Sequence, residues 1–383
     1  MINVAVDASR VRSGGGVAHL LGILSETDVE QYGIKQVHVW AYQALLAVLP
    51  DRPWLVKHQP ASADQSLARQ LYWQAVELTK EIQSAQCDIL FAADASTLCR
   101  FKPLVVLNQN MLPYEEGMVA LFGWSRERLR QHFIFEVQKR AFKAADGNIF
   151  LTQHAATSVQ KYTGSIANPI CIPHGVDQVF LNTPHHAQWP RANERPIKCL
   201  YVSPIYEYKY QWVVVRAIKL LRDRGYNLTL SLVGGGGARA KKILAEQIKY
   251  SDPRAEFVTV EEFLPHAQIP ERIAQSDLFI FASGCETFGI SLLEAMAVGV
   301  PIASSRKSSL PETLQDAGEY FDPENDESIA AAVEHLIVDP ALRQRFSQRA
   351  QALAAQYSWA RCAASTWTFI TKIQQQTHAK GLQ

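Results

Sequence analysis

Two glutamates, Glu286 and Glu294, bracket the expected start of a helix in Ser283-Gly-Cys-Glu286-Thr-Phe-Gly289-Ile-Ser-Leu-Leu-Glu294-Ala-Met-Ala. At such a start the backbone N–H groups of Phe288, Gly289 and Ile290 point outward at the positive end of the helix dipole. That makes an anion site suited to a diphosphate. Thr287 is positioned to cap the helix through its hydroxyl, and Gly289 lets a ligand approach the backbone closely. A carboxylate accepts two hydroxyl hydrogen bonds, as a ribose or a pyranose offers. Read structurally instead, Glu286 is a charge in the cap region and Glu294 a solvated helix residue. The apolar neighbours of Glu294 argue against solvation, because a charge placed among them needs a partner.

Other groups fit the same chemistry. Lys209 closes Ser203-Pro-Ile-Tyr-Glu-Tyr-Lys209 after an expected strand, where an ammonium neutralises a diphosphate as a point charge. The plainer reading is a solvated loop charge. Ser13-Gly14-Gly15-Gly16 follows the first expected strand, and its glycines allow a tight turn and close backbone approach. Gly234–Gly237 ends another strand and reads either as the border of a nucleotide pocket or as a flexible turn. Gln109 and Asn110 stand at a further strand end, where amides orient a ligand but accept no proton at neutral pH. His174 is a lone histidine in a turn, a place where histidines are mostly structural.

The elements that carry these residues alternate. Strands are expected over 2–6, 37–41, 89–92, 104–107 and 148–151, with amphipathic helices such as 17–24 and 67–82 between them. After the Pro-rich stretch 181–196 the rhythm restarts, with strands over 199–202, 228–233, 278–282 and 300–303 and helices over 211–224 and 290–298. Strand–helix alternation implies parallel sheets covered on both faces, with ligands at the carboxyl ends of strands. The 383 residues exceed what one core usually supports, so two domains are expected. We place an N-terminal Rossmann-like domain at 1–182, a linker and hinge at 183–196, a C-terminal Rossmann-like domain at 197–360, and a final helix at 361–383 that crosses back to the first domain.

Composition narrows the classes. A formal net charge of +1 gives no electrostatic footprint for nucleic acid. The six scattered cysteines form no CxxC pair and no zinc spacing, which suits buried thiols in a reducing cytosol. No metal is expected. No apolar run approaches the roughly 18 residues of a membrane span, so membrane contact, if any, is peripheral. The basic, aromatic stretch from Trp124 through Lys143 reads as a surface for anionic lipid or as an ordinary helix with one solvated face.

The Glu286–Glu294 segment resembles the Glu-x7-Glu motif of retaining glycosyltransferases of family 4, which have the GT-B fold. Ile172-Pro-His-Gly-Val-Asp-Gln-Val-Phe180, Asp146-Gly-Asn-Ile-Phe-Leu-Thr152 and Tyr357-Ser-Trp359 resemble further elements of that family in the expected order. The resemblance implies an α/β fold of two doubly wound domains facing across a cleft. It implies a hexose moved, without a metal, from a GDP- or UDP-linked sugar to a glycan or lipid-linked glycan acceptor. Bacterial surface polysaccharide synthesis at the inner face of the membrane is the implied setting. By this similarity Glu294 bonds the nucleotide ribose, Glu286 the donor sugar, and the amides of Phe288, Gly289 and Ile290 hold the diphosphate or sugar. Leu264, in Glu262-Phe-Leu-Pro265, resembles the segment that meets the nucleobase, and Gly234 and Thr287 belong to the same donor side. Gly14, Gly15 and Gly16 lie near the diphosphate and acceptor, with Gln109, Asn110 and His174 on the acceptor side. Two departures stand out: Ser203 occupies the place of an arginine, and Gln109-Asn110 that of His-Asp. They keep two alternatives open, a sugar-nucleotide epimerase of the same fold and an inactive binding or assembly protein.

Overall fold

A computed structural model describes residues 1–12, 14–26, 28–63, 65–191 and 194–381. Ser13 of the expected glycine turn, Ala192 and Asn193 of the expected linker, and Leu382 and Gln383 at the end of the last segment lie outside the described residues. The chain divides into two units.

The first unit comprises residues 1–119, 123–175 and 358–383. Its strands are β1 (Ile2–Asp7), β2 (Ile34–Trp40), β3 (Leu55–His58), β4 (Ile89–Ala92), β5 (Leu104–Leu107), β6 (Gly147–Phe150) and β7 (Pro169–Cys171). They form one parallel sheet in the order β3-β2-β1-β4-β5-β6-β7. β4, β5 and β6 are buried throughout, which explains their unbroken apolar character: a parallel strand covered on both faces has no solvent side to alternate with. The helix Trp359–Gly381, from the far end of the chain, belongs to this unit. Its Trp367 is buried and donates from Nε1 to the carbonyl of Ile23 on the helix Gly15–Ser25, 3.0 Å away.

The second unit comprises residues 120–122 and 176–357. Its strands are β8 (Ile197–Val202), β9 (Leu228–Val233), β10 (Val258–Glu261), β11 (Leu278–Phe281), β12 (Ile302–Ser305) and β13 (Glu319–Phe321). The parallel order is β10-β9-β8-β11-β12-β13. Both sheets are doubly wound and Rossmann-like: the strand order reverses between β1 and β4 in one and between β8 and β11 in the other. Loops after those four strands open at the switch points where such sheets bind ligands.

The Pro-rich segment expected to be a linker is docked on the second unit. His185 and Ala187 donate their amides to the carbonyls of Val298 and Ala274, at 2.9 and 3.2 Å. The Trp189 ring lies under the Arg343 guanidinium at 3.6 Å. The units part at Gly175–Val176 and Tyr357–Ser358, not within 183–196. Proline-rich composition marks the absence of helix and strand but says nothing about what the side chains pack against.

Candidate functional site

The loops at the β8–β11 switch point bring two of the singled-out residues together. Lys209 ends a 3-10 turn, Glu207–Lys209, after β8, and Glu286 follows β11. The Lys209 ammonium donates to Glu286 Oε1. Lys209 is only 6% exposed, so it is no solvated loop charge. Its Nζ lies 5.3 Å from the ring centre of Tyr208 and 5.6 Å from that of Phe281. Its carbonyl accepts from the buried Tyr201 hydroxyl at 2.8 Å. The Glu286 backbone is held as firmly: its N–H donates to Ser308 Oγ at 3.0 Å, and its carbonyl accepts from Ser308 and Ser309 at 2.8 and 3.0 Å.

The helix that follows spans Ile290–Val298 and is buried from Leu292 onward. Its N-cap is Gly289, with φ 88° and no side-chain cap bond. Thr287, expected to be the cap, sits two residues earlier and does not fill that role. A left-handed cap residue turns the chain sharply into the helix, and a β-carbon there would meet Leu310 Cδ2 at 2.9 Å. The Leu292 and Leu293 amides bond back to the Gly289 carbonyl. Those of Ile290 and Ser291 have no intrahelical acceptor and head the helix. Phe288 is buried, and its carbonyl accepts from Thr313 Oγ1 at 2.8 Å.

Glu294 lies one turn into this helix and is 7% exposed. The partner its burial demands is His266, whose Nε2 lies 3.2 Å from Glu294 Oε1. Burial pushes the Glu294 carboxyl above its usual value, opposed by His266, while the hydrogen bond to Glu294 raises His266. His266 belongs to none of the sequence motifs above. It follows directly on Glu262-Phe-Leu-Pro265, the segment that resembles a nucleobase contact, and that adjacency is the signal that points to it. Leu264 itself is half-buried and the neighbouring Phe263 is 81% exposed.

Ser203 presents no charge and no outward hydroxyl: it is buried, and its Oγ turns to the Pro204 carbonyl at 3.3 Å. Two arginines elsewhere in this unit contact protein groups: Arg239 approaches Glu207 at 3.9 Å and Arg306 donates to the Tyr320 carbonyl at 3.4 Å. The glycine run Gly234–Gly237 has a structural cause. Ile205 donates to Gly235 and accepts from Gly237 at 2.7 and 3.0 Å, so two strand-end loops lie backbone to backbone. A β-carbon on Gly236 would stand 2.0 Å from the Ile205 carbonyl oxygen, and one on Gly234 2.4 Å from that of Ser203. Among the described residues no group of three or more His, Cys, Asp and Glu side chains has the arrangement of a metal site.

In the first unit, the glycine turn after β1, the loop after β5 and the His174 turn converge. A β-carbon on Gly15 would lie 3.7 Å from His174 Nε2, and one on Gly16 4.0 Å from Gln109 Cδ. Gly14 has φ 63° and leads into the helix Gly15–Ser25. Asn110 uses its side-chain oxygen locally, accepting from the Leu112 amide at 3.1 Å, which makes it a turn-forming residue. His174 is buried, and its Nδ1 lies 3.2 Å from Nδ1 of buried His19, with the Trp359 ring 5.5 Å away. Burial lowers His19 to about 4 and depresses His174 as well, so both are neutral imidazoles, one donating and one accepting. Beside β4, Asp94 is buried enough to hold its carboxyl above the usual range, and Arg10 is held below its own by the same cause.

Comparison with known proteins agrees with this architecture. Residues 183–353 match the family model of glycosyl transferases group 1, so the second unit is a domain of that kind. The chain is 36% identical over 104 residues to the O-antigen chain mannosyltransferase B of Escherichia coli, a stretch that spans 27% of each chain. It is 28% identical over 219 residues to a GDP-mannose-dependent alpha-(1-6)-phosphatidylinositol monomannoside mannosyltransferase of Mycolicibacterium smegmatis, covering 53% of this chain and 56% of that protein. The chain thus spans between about a quarter and a little over half of the length of these relatives. Anabaena HepE in complex with UDP-glucose has the same fold, at 19% identity and a TM-score of 0.71 over 99% of this chain and 100% of that one.

Proposed function

We propose that the chain is a GT-B glycosyltransferase that moves a hexose from a nucleoside-diphosphate sugar, GDP- or UDP-linked, to a glycan or lipid-linked glycan acceptor in bacterial surface polysaccharide synthesis. The observation that carries this reading is the buried Lys209–Glu286 contact at the β8–β11 switch point, set before a helix that also bears Glu294. One cation, two carboxylates and a helix start are the groups that a diphosphate joined to a ribose and a pyranose requires.

In the reaction, the bond from the anomeric carbon to the diphosphate breaks as that carbon bonds the acceptor oxygen. Negative charge grows on the phosphate, where Lys209 and the amides at the head of the Ile290–Val298 helix stabilise it. Those groups supply positive charge without a metal. Glu286 orients the donor sugar through its hydroxyls, and Glu294, fixed by His266, takes the ribose. Attack occurs on the face the phosphate leaves, and the acceptor proton passes to a phosphate oxygen, which gives retention. The first unit receives the acceptor. Among the described residues no helix is long and apolar enough to cross a membrane. Trp124, 99% exposed with the Arg128 guanidinium 5.4 Å from its ring, suits peripheral contact with the inner membrane face.

Thermal shift of the purified protein against UDP, GDP and their hexose conjugates tests the reading. A nucleotide at about 100 times its Kd adds roughly 2.7 kcal/mol. A shift by one nucleotide family that Glu294→Ala abolishes supports the donor site, and no shift at millimolar concentration removes it.

A further inference from the structure

The first unit has its own switch point between β1 and β4, and a cavity of about 210 Å³ opens there. Arg10 and Arg12 reach it from the loop after β1, Asp94 from the loop after β4, and Arg130 from the helix Arg126–Ala144. Leu67 and Phe133, both more than half exposed, also line it and make its apolar part.

The charges are unequal. Among the described residues Arg130 is the one of the three guanidinium groups in an ion pair, with Glu127 at 2.7 Å, while the Asp7 and Asp94 carboxyls act on Arg10 from beyond ion-pair distance. Arg12 stacks on Tyr42 at 4.4 Å and donates to neutral oxygens, Gln70 Oε1 at 3.2 Å and the Ala63 carbonyl at 3.4 Å. Arg10 is half-buried and, among the described residues, donates no hydrogen bond. The lining itself carries one carboxyl against the three guanidinium groups, Asp94, which accepts from the Ser96 amide at 2.6 Å. A half-buried guanidinium with unused donors beside a second one is a receptor for an oxyanion. Exposed apolar surface next to it suits a hydrocarbon chain.

We propose that this cavity binds an amphiphilic acceptor, seating its anionic group on Arg10 and Arg12 and its apolar chain on Leu67 and Phe133. The word acceptor rests on the reading of the chain as a glycosyltransferase; the binding of an anionic amphiphile does not. A phosphate with an alkyl chain and a free phosphate share the anion chemistry, and three probes separate them: decyl phosphate below its micelle concentration, inorganic phosphate, and the uncharged decyl glucoside.

Isothermal titration of the full chain, with UDP or GDP present to occupy the second unit, reads each probe. Decyl phosphate is expected to bind saturably at one site, at least tenfold tighter than either other probe. The double variant R10Q/R12Q should bind it at least tenfold more weakly, and Phe133→Ser severalfold more weakly. Equal affinity for decyl glucoside, or unchanged affinity in the double variant, overturns the proposal. Equal affinity for inorganic phosphate overturns the amphiphile assignment. Retained nucleotide binding by R10Q/R12Q shows that the variant is folded, and the exposed Arg12→Gln alone repeats the test with less disturbance. If decyl phosphate binds and no nucleotide does, the donor-site reading fails while this one stands.

Discussion

Lys209 and Glu286 lie 77 positions apart in sequence and meet as an ion pair that is largely shielded from water. Removing one member of such a pair strands the other, which is more harmful than never having had the pair. In the proposed reaction the lysine acts on charge that develops only as the diphosphate leaves. Lys209→Met is therefore expected to lower the rate of sugar transfer by about 10²- to 10³-fold, the effect of losing one preorganised charge-stabilising group. Steady-state kinetics on the purified variant decides it. A rate within threefold of the parent would remove Lys209 from the chemistry.

Glu294→Gln keeps the side-chain volume and loses the charge. A hydrogen bond to a charged group is worth about 1.5–3 kcal/mol, so nucleotide affinity should fall about 10- to 100-fold. The same substitution reports on His266. Its pKa is raised above 6.5 chiefly by the bond to Glu294, so the imidazole proton signal of His266 should titrate at lower pH in the variant. An unmoved titration curve would show that the pair does not form in solution.

Gly289→Ala places a β-carbon at φ 88° and 2.9 Å from Leu310 Cδ2. Left-handed backbone costs a non-glycine residue roughly 1–2 kcal/mol. Thermal unfolding should show a loss of about 1–3 kcal/mol once the Leu310 contact is included. Indifference to the substitution would mean that the helix starts differently.

The neutral His19–His174 pair makes stability acid-sensitive. The folded-state pKa of His19, about 4, lies below its ordinary 6.5. The unfolded chain therefore binds the proton more readily. This contribution is complete above about pH 6.5 and is lost as pH falls towards 4; it amounts to about 3 kcal/mol for His19. His19→Asn should flatten the fall of Tm between pH 7 and 5. A parallel fall in both proteins would clear the histidines of that role.

How far the sequence carried varies from element to element. The helix Ile290–Val298 and strand β9 were legible to their ends, because Gly289, Gly299 and Gly234 punctuate apolar runs. β3, β7, β10 and β13 were not: they are three or four residues long, with exposed or half-buried positions breaking the apolar run. Glu286, Glu294 and Lys209 stood out because loops after strands and helix starts are local features. His266 did not, since its bond to Glu294 joins a loop to a helix 28 positions away. Arg10 and Arg12 passed unremarked for the same reason: their meaning lies in the cavity they share with Asp94, Arg130 and Phe133. From sequence Gly234–Gly237 reads as either a pocket border or a turn, and the backbone of Ile205 accounts for the run.

The first unit is assembled from both ends of the chain, with residues 176–357 inserted between its parts. On the ribosome, the segment that seats Trp367 against Ile23 emerges only after the whole second unit has been made. The second unit can therefore complete its core while the first waits with the surface beside the helix Gly15–Ser25 uncovered. A nascent chain halted before Trp359 should therefore need a chaperone for its earliest residues rather than its latest.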